Sequence, residues 1–305
     1  MTWRKRLARR LRPIRRVLSG KGHDGFRRAL AEGKRPVEQR YFYLGPDLAL
    51  LRLNAGPLIY VDPLDEQVSA SLIADGYWEG WVTAAVLSVL RPGSRVIEVG
   101  ANVGYYTMLM AAWLGTEGHL TTLEANPRMA GLVRRSIRIN GFSDRVCLIA
   151  KAAMDQPGTV EFVTSRTDSG GGHVAMWEGG LQPGHERFEV SAVRLDDLDC
   201  GTVDLIRLDA EGSEPFILRG AEGLLKANPG VVVCMEWSLE QMGRRTSVPE
   251  FLDWLTNMGF RFWKIGVDSG LRPITPAELL TVADCDVVVS RSTPAPLLKA
   301  SHPRG

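Results

Sequence analysis

Short apolar runs alternate with helical patterns between residues 95 and 235, and this alternation most constrains what the chain can fold into. When a helix returns the chain to the start of the next strand, neighbouring strands run parallel and helices cover both faces of the sheet. The sequence therefore predicts an α/β fold with a doubly wound, mostly parallel sheet. Its five central strands are predicted at residues 95–99, 120–123, 146–150, 205–208 and 231–235.

Further elements are predicted on both sides of these strands. Apolar runs at residues 48–53 and 58–61 are separated by Asn-Ala-Gly-Pro, which predicts a hairpin. A helical pattern at residues 81–90 ends at Arg-Pro-Gly. Near the other end of the sequence, residues 260–265 and 286–290 predict a closing antiparallel pair, preceded by a helix at residues 251–258.

A glycine-rich stretch at residues 167–173 interrupts the alternation. It lies between two further strand candidates, residues 159–163 and 188–194. The stretch is too long for a simple turn and too rich in glycine to be rigid, so we interpret it as a loop that covers a site.

The composition is that of a globular protein with one large domain. The chain has 305 residues, 45% of them hydrophobic and 24% charged. Its four cysteines form no Cys-X-X-Cys pair, which indicates neither a zinc site nor a redox dithiol and favours a reduced cytoplasm. We predict a basic extension at residues 1–40, a hairpin subdomain at 41–76, the main domain at 77–291 and a flexible tail at 292–305.

Positive charge is concentrated at the N-terminus. Residues 1–40 contain 14 Lys and Arg against 3 Asp and Glu, whereas the other 265 residues contain 23 against 32. Within residues 1–20, Trp3, Leu7, Leu11, Ile14 and Leu18 recur at helical spacing, so this segment is predicted to be a basic amphipathic helix interrupted by a proline.

Two interpretations of this segment stay open. Its apolar stripe packs on the protein itself or on a second subunit, or it binds an anionic membrane surface at the inner face of the membrane. A homo-oligomer is therefore left open. Nucleic acid is excluded as a partner, because the remainder of the chain is acidic and no groove-sized basic and aromatic stretch is present.

A turn with two glycines follows the first central strand and opens a helix at residues 105–113. Glycines let the backbone approach a ligand closely, and the first turn of a helix offers N–H groups. Ligands in open parallel sheets bind at the carboxyl ends of strands, where this turn falls. Gly100, Asn102 and Gly104 are therefore candidate nucleotide-binding residues.

A second anchor stands twenty residues after Gly104, where Glu124 ends the next strand. A carboxylate there can accept both hydroxyls of a ribose. A dinucleotide fingerprint would require glycine where the chain has Asn102 and Tyr105. Glu98 would repel a diphosphate but attract the ammonium and sulfonium groups of S-adenosylmethionine, so the charge favours the methyl donor.

Three segments resemble the FkbM family of methyltransferases: EVGANVG at residues 98–104, LEANP at 123–127 and DLIRLDAEGSE at 204–214. The resemblance covers roughly residues 77–290. It implies a Rossmann-like, seven-stranded sheet of the class I methyltransferases, S-adenosylmethionine as cofactor and methylation of a hydroxyl on a sugar, glycolipid or polyketide-type natural product. It also implies that the cofactor contacts Ala125, Asn126 and Ala153.

The chain departs from the family at two places. Arg207 stands where the family commonly has lysine, which keeps the positive charge but excludes lysine-specific chemistry. The arginine-rich N-terminal extension is not explained by the family. A nicotinamide-dependent oxidoreductase and a non-catalytic membrane-associated binding protein are the alternative functions.

Methyl transfer to an unactivated hydroxyl needs aligned reactants and a base. Asp209 ends the fourth strand and is our first candidate, with Glu211 next to it and His173 of the glycine-rich loop as further candidates. Negative charge at Glu211 and Glu214 is equally typical of a helix start. Clustered carboxylates can also hold a divalent metal, but the spacing does not indicate one, and no metal ligand is assigned.

Aromatic and acidic residues at two further places in the sequence are weaker candidates. Glu236, at the end of the fifth strand, is a candidate for the acceptor pocket. Tyr77, Trp78 and Glu79 match a family pattern near the donor, or else belong to an aromatic patch that packs against the hairpin.

The membrane interpretation is testable by liposome flotation of the protein with and without residues 1–40. Burial of the apolar stripe and attraction of the arginines to anionic lipids act together. The full chain should therefore float with anionic vesicles, whereas the truncated chain should not. Neutral vesicles serve as the control. Unchanged flotation after truncation would rule out this segment as the anchor.

Overall fold

The computed structural model describes residues 40–175 and 181–294. The predicted amphipathic segment at residues 1–20 and most of the predicted tail lie outside these residues. None of the described helices has the length and hydrophobicity that a bilayer crossing requires.

An antiparallel sheet of three strands opens the described chain, in the order β1 (Tyr41–Gly45), β2 (Leu48–Arg52) and β3 (Leu58–Val61). The predicted hairpin is present as β2 and β3, with Leu51 opposite Ile59. The structure adds β1, which the sequence did not predict because its central residues are exposed and show no buried alternation. Two helices follow, α1 (Val68–Asp75) and α2 (Gly80–Val89).

The central sheet has eight strands. Its parallel part contains β4 (Arg95–Val99), β5 (His119–Leu123), β6 (Val146–Ile149), β11 (Leu205–Leu208) and β12 (Val232–Ser238), in the spatial order β6-β5-β4-β11-β12. These are the five predicted strands, and the order reverses direction at β4, as expected for a doubly wound sheet.

Three antiparallel strands extend the sheet beyond β12. They are β15 (Asp284–Ser290), then β13 (Arg261–Ile265), then β14 (Leu271–Ile274). The predicted closing pair is thereby confirmed, with Arg261 opposite Ser290. The sheet has one strand more than the seven predicted, because β14 pairs with β13 although its Arg and Pro residues give no apolar alternation.

Helices connect these strands and cover both faces of the sheet. The predicted helix after the glycine turn is α3 (Tyr105–Leu114), and the predicted late helix is α8 (Val248–Asn257). The remaining helices are α4 (Pro127–Ile139), α5 (Glu214–Arg219), α6 (Glu222–Ala227), α7 (Leu239–Gly243) and α9 (Pro276–Leu279). Asn126 caps α4 by accepting a hydrogen bond from the N–H of Arg128, at 3.0 Å.

A smaller sheet is inserted between β6 and β11. It contains β7 (Ala152–Ala153), β8 (Gly158–Ser165), β9 (His173–Val174) and β10 (His185–Val193), in the order β7-β10-β8-β9. The two predicted strands of this region are β8 and β10, which pair antiparallel. The glycine-rich loop connects β8 to β9 and is thus held at both ends by the small sheet.

The core divides into two layers, one on each face of the central sheet. Val96 of β4 belongs to the layer that also contains α2, α3 and the N-terminal sheet, whereas Ile97 belongs to the layer that contains α5 and α8. Successive strand residues point to opposite faces, so both faces of β4 are apolar and buried. Polar residues lie instead at the carboxyl ends of the strands, among them Asn102, Glu124 and Asp209.

Candidate functional site

A cavity opens at the carboxyl ends of β4, β5, β11 and β12. Its walls contain the turn at residues 99–103, the tip of β5 at residues 123–126 and the segment after β11 at residues 209–211. Part of the glycine-rich loop, together with Trp78 and Glu79, also lines the cavity. The topology therefore brings together the three motifs that the sequence analysis identified.

The turn after β4 requires glycine at its first position. Gly100 has a φ of 82°, and a Cβ atom there would lie 1.7 Å from the carbonyl oxygen of Asp209. Since no side chain fits at that distance, the glycine allows the turn and the end of β11 to touch. Gly104, with a φ of 92°, precedes α3 and does not line the cavity among the residues described.

Glu124 ties the turn to the tip of β5. Its Oε2 accepts a hydrogen bond from the N–H of Asn102 at 2.6 Å, and its Oε1 accepts one from the N–H of Asn126 at 2.7 Å. Burial raises the pKa of Glu124 to about 7 in spite of these two donors. Each carboxylate oxygen keeps a second lone pair, which the two hydroxyls of a ribose can use.

The other predicted cofactor residues next to Glu124 also line the cavity. They are Asn102, Ala125, Asn126 and Ala153. Asn102 has an unpartnered, buried Oδ1 and a left-handed backbone with a φ of 52°. An orphaned acceptor in the wall is an observation in favour of a bound ligand, because unpaired buried polar atoms are costly.

Glu98 lies beneath the turn and is not among the described residues that line the cavity. Its fully buried Oε2 accepts hydrogen bonds from the hydroxyls of Thr107 and Thr122, at 2.5 Å and 2.8 Å. Its Oε1 has no hydrogen-bond partner and lies 4.0 Å from the Arg207 guanidinium. Burial raises the pKa of this carboxyl. A direct contact between Glu98 and the cofactor stays a prediction.

Arg207 supplies the positive charge under the site. Its buried guanidinium donates to Oδ2 of Asp209 at 2.8 Å and lies 3.7 Å from the centre of the Tyr106 ring. Burial alone would lower the pKa of Arg207, but Asp209 and the other acidic neighbours raise it above its usual value. A planar guanidinium can stack and donate at once, which explains how arginine serves at this position in place of lysine.

Three carboxylates form a cluster at the ends of β11 and β12. Asp209, Glu211 and Glu236 each place one oxygen within 4.8 Å of the others. Burial, followed by the charge of Asp209, raises the pKa of Glu211 to about 7 and raises the pKa of Glu236 still further. The Oε2 atom of Glu236 is buried without a partner. Hard oxygen ligands at this spacing suit a divalent cation. A proton shared among the carboxylates would also reduce the repulsion between their negative charges.

Backbone strain is concentrated in the same cavity. Four non-glycine residues in the described ranges have a positive φ, and Glu79, Asn102 and Glu211 are the three that line the cavity. Glu79 has a φ of 38° and Glu211 a φ of 53°. Such conformations cost about 1 kcal/mol or more each and persist at sites where the surroundings fix a side chain in place.

Glu214, in contrast, has a structural role at the start of α5. Its Oε1 accepts a hydrogen bond from the N–H of Ala210 at 2.8 Å. Ser213 precedes the helix, but its hydroxyl accepts from Arg245 at 2.7 Å and does not cap the helix. The helix-start interpretation is therefore correct for Glu214, and Glu211 instead reaches Gln241, whose Nε2 donates to it at 2.6 Å.

His173 lines the cavity at the end of the glycine-rich loop. Its Nδ1 lies 2.9 Å from the carbonyl oxygen of Gly171, an arrangement in which Nδ1–H donates and Nε2 is left as the acceptor. Burial lowers the pKa of His173, which favours the neutral ring. The structure thus places the third catalytic candidate in the wall of the cavity.

The sequence analysis missed two residues in and beside the site. Tyr106 reads as part of an apolar helix, yet its hydroxyl donates to Glu79 Oε2 at 3.3 Å. Asp286 lies on β15 opposite Glu236, and burial raises the pKa of this carboxyl to about 7. An acidic residue within the apolar β15 was the one available signal for Asp286.

Comparison with known proteins now identifies the family. The profile described as the methyltransferase FkbM domain matches residues 98–262, which is more than half of the chain and contains the turn, Glu124 and the β11 segment. The chain belongs to the FkbM methyltransferase family. This membership confirms the resemblance drawn from the three motifs and disfavours the oxidoreductase and the non-catalytic alternatives.

Curated relatives of this FkbM family member match it over short segments. A protein-L-isoaspartate O-methyltransferase of Ignicoccus hospitalis is 34% identical over 68 residues, which is 22% of this chain and 32% of that protein. A catechol O-methyltransferase of Mus musculus is 34% identical over 77 residues, which is 25% and 29% of the two chains. The chain therefore aligns with about a third of the length of these relatives.

Among solved structures, an FkbM methyltransferase of Methylobacillus flagellatus KT resembles this chain with a TM-score of 0.42 and 15% identity. The alignment covers 66% of this chain and 44% of that one. The family uses S-adenosylmethionine, and the cavity of this member fits it: a glycine turn, an acidic strand tip with lone pairs to spare and an orphaned acceptor in the wall.

The role of Glu124 is testable by Glu124→Ala. Losing the carboxylate removes the ribose contacts, so the affinity for S-adenosylmethionine measured by isothermal titration should fall by on the order of 1–3 kcal/mol. Glu117→Ala, in the exposed turn before the other end of β5, is the matched control and should bind as the wild type does. Equal affinities of the two variants would reject Glu124 as an anchor.

The buried carboxyls predict how the stability of the ligand-free protein depends on pH. Glu124, Glu211, Glu214 and Asp286 each have a pKa raised to about 7, whereas an unfolded chain ionises these groups near pH 4. The folded protein therefore binds protons that the unfolded chain has already released, and stability is lost as pH rises through 7.

Accordingly, the melting temperature without ligand should be higher at pH 6 than at pH 8. Glu214→Gln keeps an acceptor for the Ala210 N–H but cannot ionise, so its melting temperature should change less between the two pH values. A profile that rises from pH 6 to pH 8 in the wild type would contradict the assigned direction of these pKa values.

Proposed function

We propose that this protein is an S-adenosylmethionine-dependent O-methyltransferase that methylates a hydroxyl group on a sugar, glycolipid or polyketide-type natural product. The observation that carries the proposal is the position of the carboxylate cluster, Asp209, Glu211 and Glu236, in the same cavity as the turn and Glu124. Donor-binding groups and groups that can accept a proton thus face one space.

The cavity divides the two tasks between its walls. Asn102, Glu124 and Asn126 would hold the cofactor, which supplies a methyl group on a positively charged sulfur when bound. The wall at the ends of β11 and β12 would hold the acceptor. Since the turn touches the end of β11 at Gly100, the acceptor wall lies directly beside the donor wall.

Asp209 is the proposed general base. Arg207 engages its Oδ2, which fixes the carboxylate at the end of β11 and leaves Oδ1 as the proton acceptor. Asp209 would take the proton of the acceptor hydroxyl while the oxygen forms its new bond to the methyl carbon and the carbon–sulfur bond of the donor breaks, with a neutral thioether as the leaving group. A base fixed by a second residue needs no rearrangement during the reaction.

The other two carboxylates are proposed to orient the acceptor. The raised pKa of Glu236 keeps this group protonated at neutral pH, so it can donate a hydrogen bond to an acceptor oxygen while Asp209 accepts one. Glu211 is held against Gln241 in a strained backbone conformation, which fixes its direction. A polyhydroxylated acceptor matches this set of donors and acceptors.

The base assignment is tested by Asp209→Asn. The variant keeps the shape of the side chain but removes the proton acceptor, so turnover should fall by about 100-fold or more while S-adenosylmethionine binds nearly as before. Asp204→Asn is the matched control, because Asp204 adjoins the opposite end of β11 and accepts from the N–H of Arg95 there. Undiminished turnover of Asp209→Asn with the true acceptor would remove Asp209 from the mechanism.

The acceptor itself is found by incubating the protein with methyl-labelled S-adenosylmethionine and fractions of a host extract, followed by mass spectrometry of labelled products. A methyl ether on a hydroxylated small molecule or glycolipid is the expected result. Label on nitrogen, carbon or carboxylate in the product would contradict the proposal of O-methylation at a hydroxyl.

A further inference from the structure

Residues 166–172, which connect β8 to β9 and contain most of the glycine-rich stretch, are held in place by a short segment that precedes the family-matched region. This segment, residues 62–66, is called the brace. At one end of the brace, the buried carboxylate of Asp62 forms an ion pair with Arg128 in the first turn of α4, directly after the tip of β5. The brace is thereby fixed to the cofactor side of the site.

At its other end the brace holds the loop. Asp65 is fully buried, and its Oδ1 accepts a hydrogen bond from the N–H of Ser169 at 3.1 Å. Its Oδ2 accepts from the N–H of Ser69 at 2.6 Å, and the N–H of Glu66 donates to the carbonyl oxygen of Thr167 at 2.8 Å. The loop is therefore attached to the brace by two hydrogen bonds, one of them to a carboxylate.

Packing fixes the far end of the loop. A Cβ atom at Gly172 would lie 3.1 Å from the ring of Phe162, so glycine lets the loop lie against that ring. Phe162 pairs with Val174 across β8 and β9, and both belong to the small apolar cluster against which Ala125 packs. The loop thus lies on the Glu124 side of the cavity, where the adenosyl part of the cofactor is expected.

Two serine hydroxyls in this region have no hydrogen-bond partner although both side chains are buried. They belong to Ser69, which is 0% exposed, and Ser169, which is 6% exposed. They differ in one respect: Ser169 lines the cavity, and Ser69 is not among the described residues that do. A buried hydroxyl without a partner costs stability, and in the wall of a cavity a bound ligand can supply the missing partner.

We propose that the hydroxyl of Ser169 hydrogen-bonds to the adenosyl part of bound S-adenosylmethionine, and that Asp65 is the positioning residue that holds Ser169 there. This inference rests on the proposed function, since it requires that the cofactor bind in this cavity. It adds a third anchor to the turn and Glu124, and it assigns a role to a part of the chain outside the matched family domain.

The test compares Ser169→Ala with Ser69→Ala in the full chain by isothermal titration with S-adenosylhomocysteine. Both changes delete a buried, unpartnered hydroxyl from neighbouring positions, so their effects on folding are matched. Ser169→Ala should weaken binding by about tenfold, whereas Ser69→Ala should bind within about twofold of the wild type. Equal affinity of all three proteins, or an equal loss in both variants, would overturn the inference.

The role of Asp65 is tested by a double-mutant cycle. Asp65→Asn keeps the size of the side chain but removes one acceptor and the charge, so it should weaken S-adenosylhomocysteine binding. If Asp65 acts through Ser169, adding Ser169→Ala to Asp65→Asn should weaken binding further by much less than tenfold. Strictly multiplicative losses would show that Asp65 does not act by positioning Ser169.

The same titrations separate this inference from the proposed function. A wild-type protein that binds no S-adenosylhomocysteine would refute both together. Wild-type binding with an unaffected Ser169→Ala variant would refute only the Ser169 contact and leave the methyltransferase assignment standing. Hydrogen exchange of the amides at residues 166–172 provides the readout for the loop, and Asp65→Asn should increase their exchange rate.

Discussion

The positive charge of the buried Arg207 guanidinium offsets part of the cost of burying carboxylates at this edge of the sheet. Carboxylates from α2's start, β4 and the end of β11 all lie close enough to influence it, and Asp209 contacts it directly. Removing charges from water is costly, and burial raises the pKa values of Glu79 and Glu98 although the charge of Arg207 acts in the opposite direction on both. At Glu211 and Glu236, burial and the charge of Asp209 act in the same direction and raise the pKa values to about 7 and about 10.

The sequence predicted the parts of the site that lie within one strand and its following turn. β4 and β11 were predicted with their observed limits, because short, mostly apolar runs end just before Gly100 and Asp209. The order of strands then placed the turn, Glu124 and Asp209 at one edge. His173 was a candidate because we interpreted the glycine-rich loop between two strands as the cover of a site, and the structure has His173 in the cavity wall.

What the sequence could not provide depends on contacts between distant segments. Asp286 meets the site only because β15 pairs with β12, and Tyr106 reads as core until its hydroxyl is seen against Glu79. Glu98 has the spacing of a ligand residue, yet two threonines and Arg207 surround it beneath the turn. The edge strand β14 was missed because charge and proline replace apolar alternation where a strand has one neighbour.

The contacts of the brace show that residues outside the family-matched segment support the site. Family comparison delimits residues 98–262, but Asp62 and Asp65 precede that region and β15 follows it. A fragment cut at those limits would retain the turn and Glu124 while leaving the glycine-rich loop without its buried carboxylate and the sheet without an inner strand. The unit that forms the site is thus larger than the family-matched segment. It begins at least as early as the brace, because the brace holds the loop that lies over the cavity.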